Sequence, residues 1–152
     1  MTDVFAIERL YKEDGNRLWW ALLGYTGNRD LASDAAAEAF ARALQAADTI
    51  LDPAGWVWRV AFRVATAELR EAHRRRPASQ DGSYEFDDRP LQVMIALRRL
   101  SARQRAAFVL FYLDDRTTEQ VASILGMAPA TVSVHLHRAR ERLRAILGGD
   151  DA

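Results

Sequence analysis

Along the first half of the chain, apolar residues recur every three to four positions, the period of a helix buried along one side. Phe5 to Tyr11 opens such a pattern, and Leu18, Trp19, Leu22 and Leu23 carry it on until Thr26-Gly27-Asn28 turns the chain. Gly15-Asn16 falls between the two stretches and is expected to interrupt the helix. Leu31, Ala35, Ala39 and Ala43 recur every four residues with Phe40 and Leu44 beside them, which predicts a second helix. Asp52-Pro53 ends that region and starts the next, since aspartate caps free amides and proline suits a first helical turn. A third helix then has room to run to about Arg76, just before Pro77.

The second half is marked by punctuation. Ser101-x-x-Gln104 and Thr117-x-x-Gln120 both have the spacing of a capping box. Between them, Ala106 to Leu113 is strongly apolar and Asp114-Asp115-Arg116 makes a turn. Thr118 to Leu125 reads as a short helix ended by Gly126, and Pro129 opens a last helix that Gly148-Gly149 terminates. No stretch shows sustained period-two alternation, so the expected fold is all-α. Pro77 to Pro90 is polar, proline-bracketed and without helical period. The expected organisation is two small helical domains, 1–76 and 91–147, joined by a flexible linker, 77–90, and followed by a tail, 148–152.

Charge sharpens this division. The 152 residues carry 21 basic and 21 acidic side chains. Residues 1–76 balance at 11 of each, 77–90 hold one basic and four acidic groups, and 91–152 hold nine basic and six acidic. All but one of the basic residues are arginine, which suits phosphate recognition but also follows from a GC-rich genome. With no cysteine, disulfides, thiolate metal sites and cysteine nucleophiles are excluded. There is neither an apolar run of about 18 residues nor a basic N-terminus leading into one, so a soluble, cytoplasmic protein without a membrane partner is expected.

The strongest local signal is a helix-turn-helix. Two helices crossing steeply need a small residue at their contact and a turn residue tolerant of positive φ. Ala122 supplies the first, Gly126 the second, and Val132 docks the following helix, with Val121, Leu125, Leu136, Ala139 and Leu143 completing the buried side. Ala130, Thr131, Ser133, Val134, His137 and Arg138 are then directed outward, where such motifs meet base edges in the major groove. A plain helical hairpin would also use a glycine C-cap; the occurrence together of a short helix, a turn glycine and a long arginine-rich helix is what favours DNA. His135 and His137 are two residues apart, point different ways and make a poor metal pair.

A second signal lies after Pro53. At about 100° per residue, Arg59, Arg63, Arg70 and Arg74 share one sector of about 60°, bordered by Trp56, opposite Val57, Val60, Ala61 and Val64. Arginines with a stackable ring fit a nucleic-acid track, and a solvated face with a partly buried tryptophan explains the pattern equally well. Catalysis has little to build on: there is no phosphate-cradling glycine loop and no nucleophile elbow. The paired aspartates at 87–88, 114–115 and 150–151 read as solvated linker, turn and tail. No enzyme, cofactor, metal or small-molecule substrate is expected.

Taken together these residues resemble a known family. The run from Leu97 to Arg105, Val121-Ala122-Ser123-Ile124-Leu125-Gly126 and Leu136-His137-Arg138-Ala139-Arg140-Glu141-Arg142-Leu143 are similar to region 4 of bacterial sigma factors. Gly27 to Asp34, Glu38-Ala39-Phe40 and Trp56-Val57-Trp58-Arg59-Val60-Ala61 are similar to region 2. A short chain holding only these two regions resembles the extracytoplasmic-function (ECF) subfamily of the sigma-70 family. The resemblance implies binding to core RNA polymerase, at its clamp helices and flap, and to promoter DNA, with an anti-sigma factor as a further partner. It implies that Asp34, Glu38 and Phe40 meet the clamp and that the Trp56–Arg74 helix faces the minus-ten strand. Thr131, Ser133, Val134, His135 and Arg138 fall in the minus-thirty-five reading helix.

Departures from the family pattern include Ala128, which offers no side-chain cap, and Ser133 and His135, where lysine or arginine is frequent. In region 2, Ala37, Arg63 and Ala67 replace a glutamine, an asparagine and an aspartate. They imply a minus-thirty-five preference unlike the commonest one. Two alternatives stay open: a sigma mimic acting through protein contacts without initiating transcription, and a free-standing helix-turn-helix regulator that dimerises on a palindrome.

Overall fold

The computed structural model describes residues 2–75 and 91–148, which divide into two compact units, one within residues 1–85 and one within 86–152. All regular structure among the described residues is helical. The expected linker, Arg76 before it, and residues 149–152 lie outside the described residues.

The first unit is a three-helix bundle of α1 (Val4–Thr26), α2 (Arg29–Gln45) and α3 (Pro53–Arg75), each packed on the other two. Helix α1 is continuous through Gly15-Asn16, against the expected interruption. A mid-helix glycine costs about 1 kcal/mol relative to alanine. Ile7 on one side of it and Leu18 and Leu22 on the other are fully buried, each contributing about 1.5–3 kcal/mol, so packing outweighs propensity. Gly27 ends the helix in the left-handed region at φ 68°, its amide donating to Leu23 O at 2.7 Å. Asn28 starts the next by accepting from the Leu31 amide at 3.0 Å.

The alanine face of α2 (Ala32, Ala35, Ala39, Ala43) is wholly buried, and small side chains there let its neighbours approach closely. Helix α3 brings the bulk: Trp58 and Phe62 are buried, and Phe62 stacks on Tyr25 at 5.3 Å between centroids. Two polar ties fix α3 against α1. Trp58 Nε1 donates to Asp14 Oδ2 at 2.8 Å, and the Tyr25 and Thr66 hydroxyls are 2.8 Å apart.

The second unit gathers α4 (Leu91–Arg98), α5 (Ala102–Phe108) and α6 (Thr118–Leu125), with α7 (Pro129–Leu147) packed against all three. Both expected capping boxes are formed, by Ser101 with Gln104 and by Thr117 with Gln120. Helix α5 does not end at Phe108 but widens into a π turn over Val109–Leu113. The aspartates that follow are not both solvated, against expectation. Asp114 is buried and pairs with Arg116 Nε at 2.7 Å, while the Asp114 and Arg116 amides donate to Val109 O and Leu110 O. Asp115 takes the left-handed φ of 56° that reverses the chain.

Candidate nucleic-acid interface

In the second unit the local sequence sets the angle at which α7 is presented. Thr117 Oγ1 accepts from the Gln120 amide at 3.1 Å and Gln120 Oε1 from the Thr117 amide at 2.9 Å, so α6 starts at a defined residue. Gly126, at φ 70°, ends it, and Ala122 O accepts from both the Gly126 and Met127 amides. No atom lies within 4 Å of where a Gly126 side chain would begin, so glycine is required there by backbone conformation, not by space. Ala122 and Val132 are buried at the crossing.

Helix α7 then buries Val132, Leu136 and Ala139 and turns Ala130, Thr131, Ser133, Val134, His137 and Arg138 to solvent. Leu125 and Leu143 are half-buried, and Ile124, which the sequence pattern did not single out, joins the core. Ala128 precedes α7 without a side-chain cap, and its carbonyl accepts from the Thr131 and Val132 amides at 3.0 and 3.1 Å. Among the described residues Arg138 and Arg142 have no ion-pair partner; Arg144 pairs with Glu141 at 3.4 Å, and His137 lies 3.9 Å from the same carboxylate.

His135 does not share the outward face. It is half-buried, its Nδ1 enclosed, and burial followed by the charges of Arg103 and Arg138 holds its pKa below the ordinary 6.5. Arg140 was also missed as a positioning group: its Nη1 donates to Tyr112 Oη at 2.9 Å, tying α7 to the π turn. The signal for that tie was the aromatic run Phe108–Tyr112, but its direction depends on the widened turn.

In the first unit α3 carries the arginine stripe as the spacing requires. Arg63, Arg70 and Arg74 are exposed, Arg59 and Trp56 half-buried, and Val57, Val60 and Ala61 buried behind them. From Arg59 to Arg74 the stripe runs about 22 Å at 1.5 Å per residue, enough to follow several phosphates. Arg59, Arg63 and Arg70 have no carboxylate partner among the described residues, whereas Arg74 pairs with Glu71. Free guanidiniums retain their bidentate capacity for phosphate.

A different chemistry occupies the groove between α2 and α3. Asp34, Ala37, Glu38, Ala41, Arg42, Val64 and Glu68 line an open space of about 620 Å³. Asp34 and Glu38 are exposed one turn apart, with Glu38 held by Arg42 at 2.8 Å. Phe40 stands apart from them: it is buried, its ring edge-on to Tyr11 at 5.2 Å. Its place in the bundle core supports α2 from behind.

Comparison with known proteins bears on both units. Residues 91–143 match the family model described as Sigma-70, region 4. The chain is 34% identical to the ECF RNA polymerase sigma factor SigL of Mycobacterium tuberculosis, over 91% of this chain and 86% of the relative. It is 28% identical to the RNA polymerase sigma factor SigV of Bacillus subtilis, over 93% and 89%. Among solved structures, the fold is similar to the sigma factor RpoE in complex with the anti-sigma factor NepR from Bartonella quintana (TM-score 0.76, 21% identity, 93% of this chain and 96% of that one). It is likewise similar to CnrH in complex with the cytosolic domain of CnrY (TM-score 0.73, 23% identity, 95% and 89%).

Proposed function

The chain belongs to the ECF RNA polymerase sigma factors, and we propose that it acts as one, binding core polymerase and directing it to promoters. The observation that carries this reading is the similarity to SigL across both units together with the solvent-facing row on α7. Thr131, Ser133, Val134, His137 and Arg138 read base edges of the upstream element in the major groove. The side chains are short or apolar at positions 131, 133 and 134, which suits contact with thymine methyl groups and single hydrogen bonds. Arg138 supplies the bidentate donor.

On the first unit, Arg59, Arg63, Arg70 and Arg74 track the phosphates of the downstream element and Trp56 stacks at the end of the track. Asp34 and Glu38 give the α2–α3 groove an acidic rim that meets a basic surface of the polymerase, with Phe40 holding α2 in place. A zero net charge fits this division of labour, since the assembled polymerase supplies much of the phosphate attraction. The described residues hold no helix long and apolar enough to cross a membrane, consistent with work in the cytoplasm beside the polymerase. An anti-sigma factor is a further partner, as in the complex of RpoE with the anti-sigma factor NepR.

The test is transcription by purified core polymerase plus this chain on a fragmented genome, with start sites sequenced. New starts sharing two spaced elements are expected. Stable binding to core without new starts would replace this reading with a sigma mimic. No binding to core would overturn the assignment of the first unit.

A further inference from the structure

Tyr11, Gly15 and Trp19 follow one another at four-residue steps along α1, on the side of the helix that meets α2. Glycine inside a helix is destabilising, and packing does not require it here. A Cβ at Gly15 would meet only the Tyr11 ring, at 3.6 and 3.8 Å, which is ordinary contact. No atom of α2 comes within 4 Å of that point, so the glycine leaves an open notch beside the Tyr11 ring. Both walls of the notch are aromatic, and both are fixed. Tyr11 is 61% exposed, yet the buried Phe40 meets its ring edge-on at 5.2 Å between centroids. Trp19, by the usual lean of a helical side chain, would cover Gly15. Its Nε1 instead donates to Ser33 Oγ of α2 at 2.9 Å, and the exposed Trp20 packs edge-on against it at 5.1 Å. Between the Trp19–Ser33 and Tyr11–Phe40 contacts, α2 passes the notch with Ala36 and Ala37, and Ala37 also lines the acidic α2–α3 groove. Asp30 and Asp34, exposed on the outer edge of α2, have no ion-pair partner among the described residues.

We propose that core RNA polymerase is seated on α1 as well as on α2, with one of its arginine or lysine side chains lying in this notch. The stem crosses Gly15 between Tyr11 and Trp19, and the cationic head turns to Asp30 and Asp34. The proposal rests on the reading that α2 meets the polymerase. It moves the aromatic contact from Phe40, which is buried, to Tyr11, which Phe40 holds in position. A long cationic side chain suits every part of the site. Its methylene stem packs on aromatic rings and bare backbone, while its head is attracted by the ring faces and by the carboxylates beyond them. The walls are eight residues apart, about 12 Å along the helix axis, which leaves room for one such side chain. The destabilising glycine is then explained by the approach of the partner, which a side chain at position 15 would obstruct.

The measurement is the affinity of the full chain for purified core polymerase, with the melting temperature of each free variant beside it. Gly15→Ala is expected to raise the melting temperature of the first unit by about 4 °C, because alanine is the better helix former. It should at the same time weaken core binding about fivefold by filling the notch. Stability and affinity then move in opposite directions, which a merely structural glycine would not produce. Gly15→Leu should weaken binding by more than about tenfold with α1 still protected from hydrogen exchange, and Tyr11→Ala by about tenfold. Tyr11→Phe should bind as the wild type does. Unchanged core affinity in Gly15→Leu and Tyr11→Ala, with Asp34→Asn and Glu38→Gln still weakening it, would overturn the notch and leave the α2 contact standing. Unchanged affinity in all four variants would overturn the α2 reading, and the notch with it. If Gly15→Leu instead abolished self-association of the free chain while core binding stayed intact, the notch would belong to a second copy and the assignment to polymerase would fall.

Discussion

The first unit builds its bundle from helices of 23, 17 and 23 residues around Trp58, Phe62, Tyr25 and the four buried alanines of the α2 face. The second uses three helices of 8, 7 and 8 residues against one of 19, and its core is mostly leucine, valine, isoleucine and alanine. Long helices carry enough buried surface that their ends need little definition, and α1 even runs through a glycine. Short helices bury less and depend on where they start and stop. The second unit accordingly has two complete capping boxes, a left-handed glycine and a shielded Asp114–Arg116 pair, all between Ser101 and Gly126. A surface that must read a groove needs its reading helix at one angle, and helix ends set that angle.

Breaking each unit by its own device separates the two modes. Trp58→Ala removes the largest buried side chain of the first unit and leaves Asp14 Oδ2 without the indole donor. It should cost about 3–5 kcal/mol, read by hydrogen exchange as lost protection across α1 and α3 with α6 and α7 unchanged. Gly126→Ala places a Cβ in the left-handed region with no clash to relieve and should cost about 1–2 kcal/mol, confined to the second unit. Thr117→Ala opens one capping box and should cost about 1 kcal/mol in the same unit, read as earlier exchange of the α6 amides. Arg70→Gln should leave stability within about 0.5 kcal/mol, yet lower the salt slope of holoenzyme binding to promoter DNA by about one contact. An Arg70 variant with an unchanged salt slope would remove that residue from the phosphate track.

The same contrast explains what could be read in the chain beforehand. Ser101, Gln104, Thr117, Gln120, Gly126 and Pro129 act through local geometry, so their spacing alone foretold the starts of α5, α6 and α7 and the end of α6. The α3 stripe was equally legible, because exposure on a long helix follows its period. What local reading missed depends on tertiary packing. The continuity of α1 rests on residues buried on both sides of Gly15, and the inward turn of Phe40 on Tyr11 from another helix. The widened turn after Phe108 is stabilised by Asp114 and Arg116, and it alone brings Tyr112 to Arg140. His135 entered only through the resemblance, and its half-burial beneath α5, which carries Arg103 32 positions away in sequence, is a tertiary effect that local spacing does not carry.

In the proposed function one chain places its two units on two separate promoter elements. Photocrosslinking from position 63 on α3 and from position 134 on α7, within a transcribing holoenzyme, tests it most directly. Position 63 should crosslink only near the site of strand opening and position 134 only at the upstream element, both without loss of transcript. Crosslinks from both positions to a single element, or from neither to DNA, would contradict it.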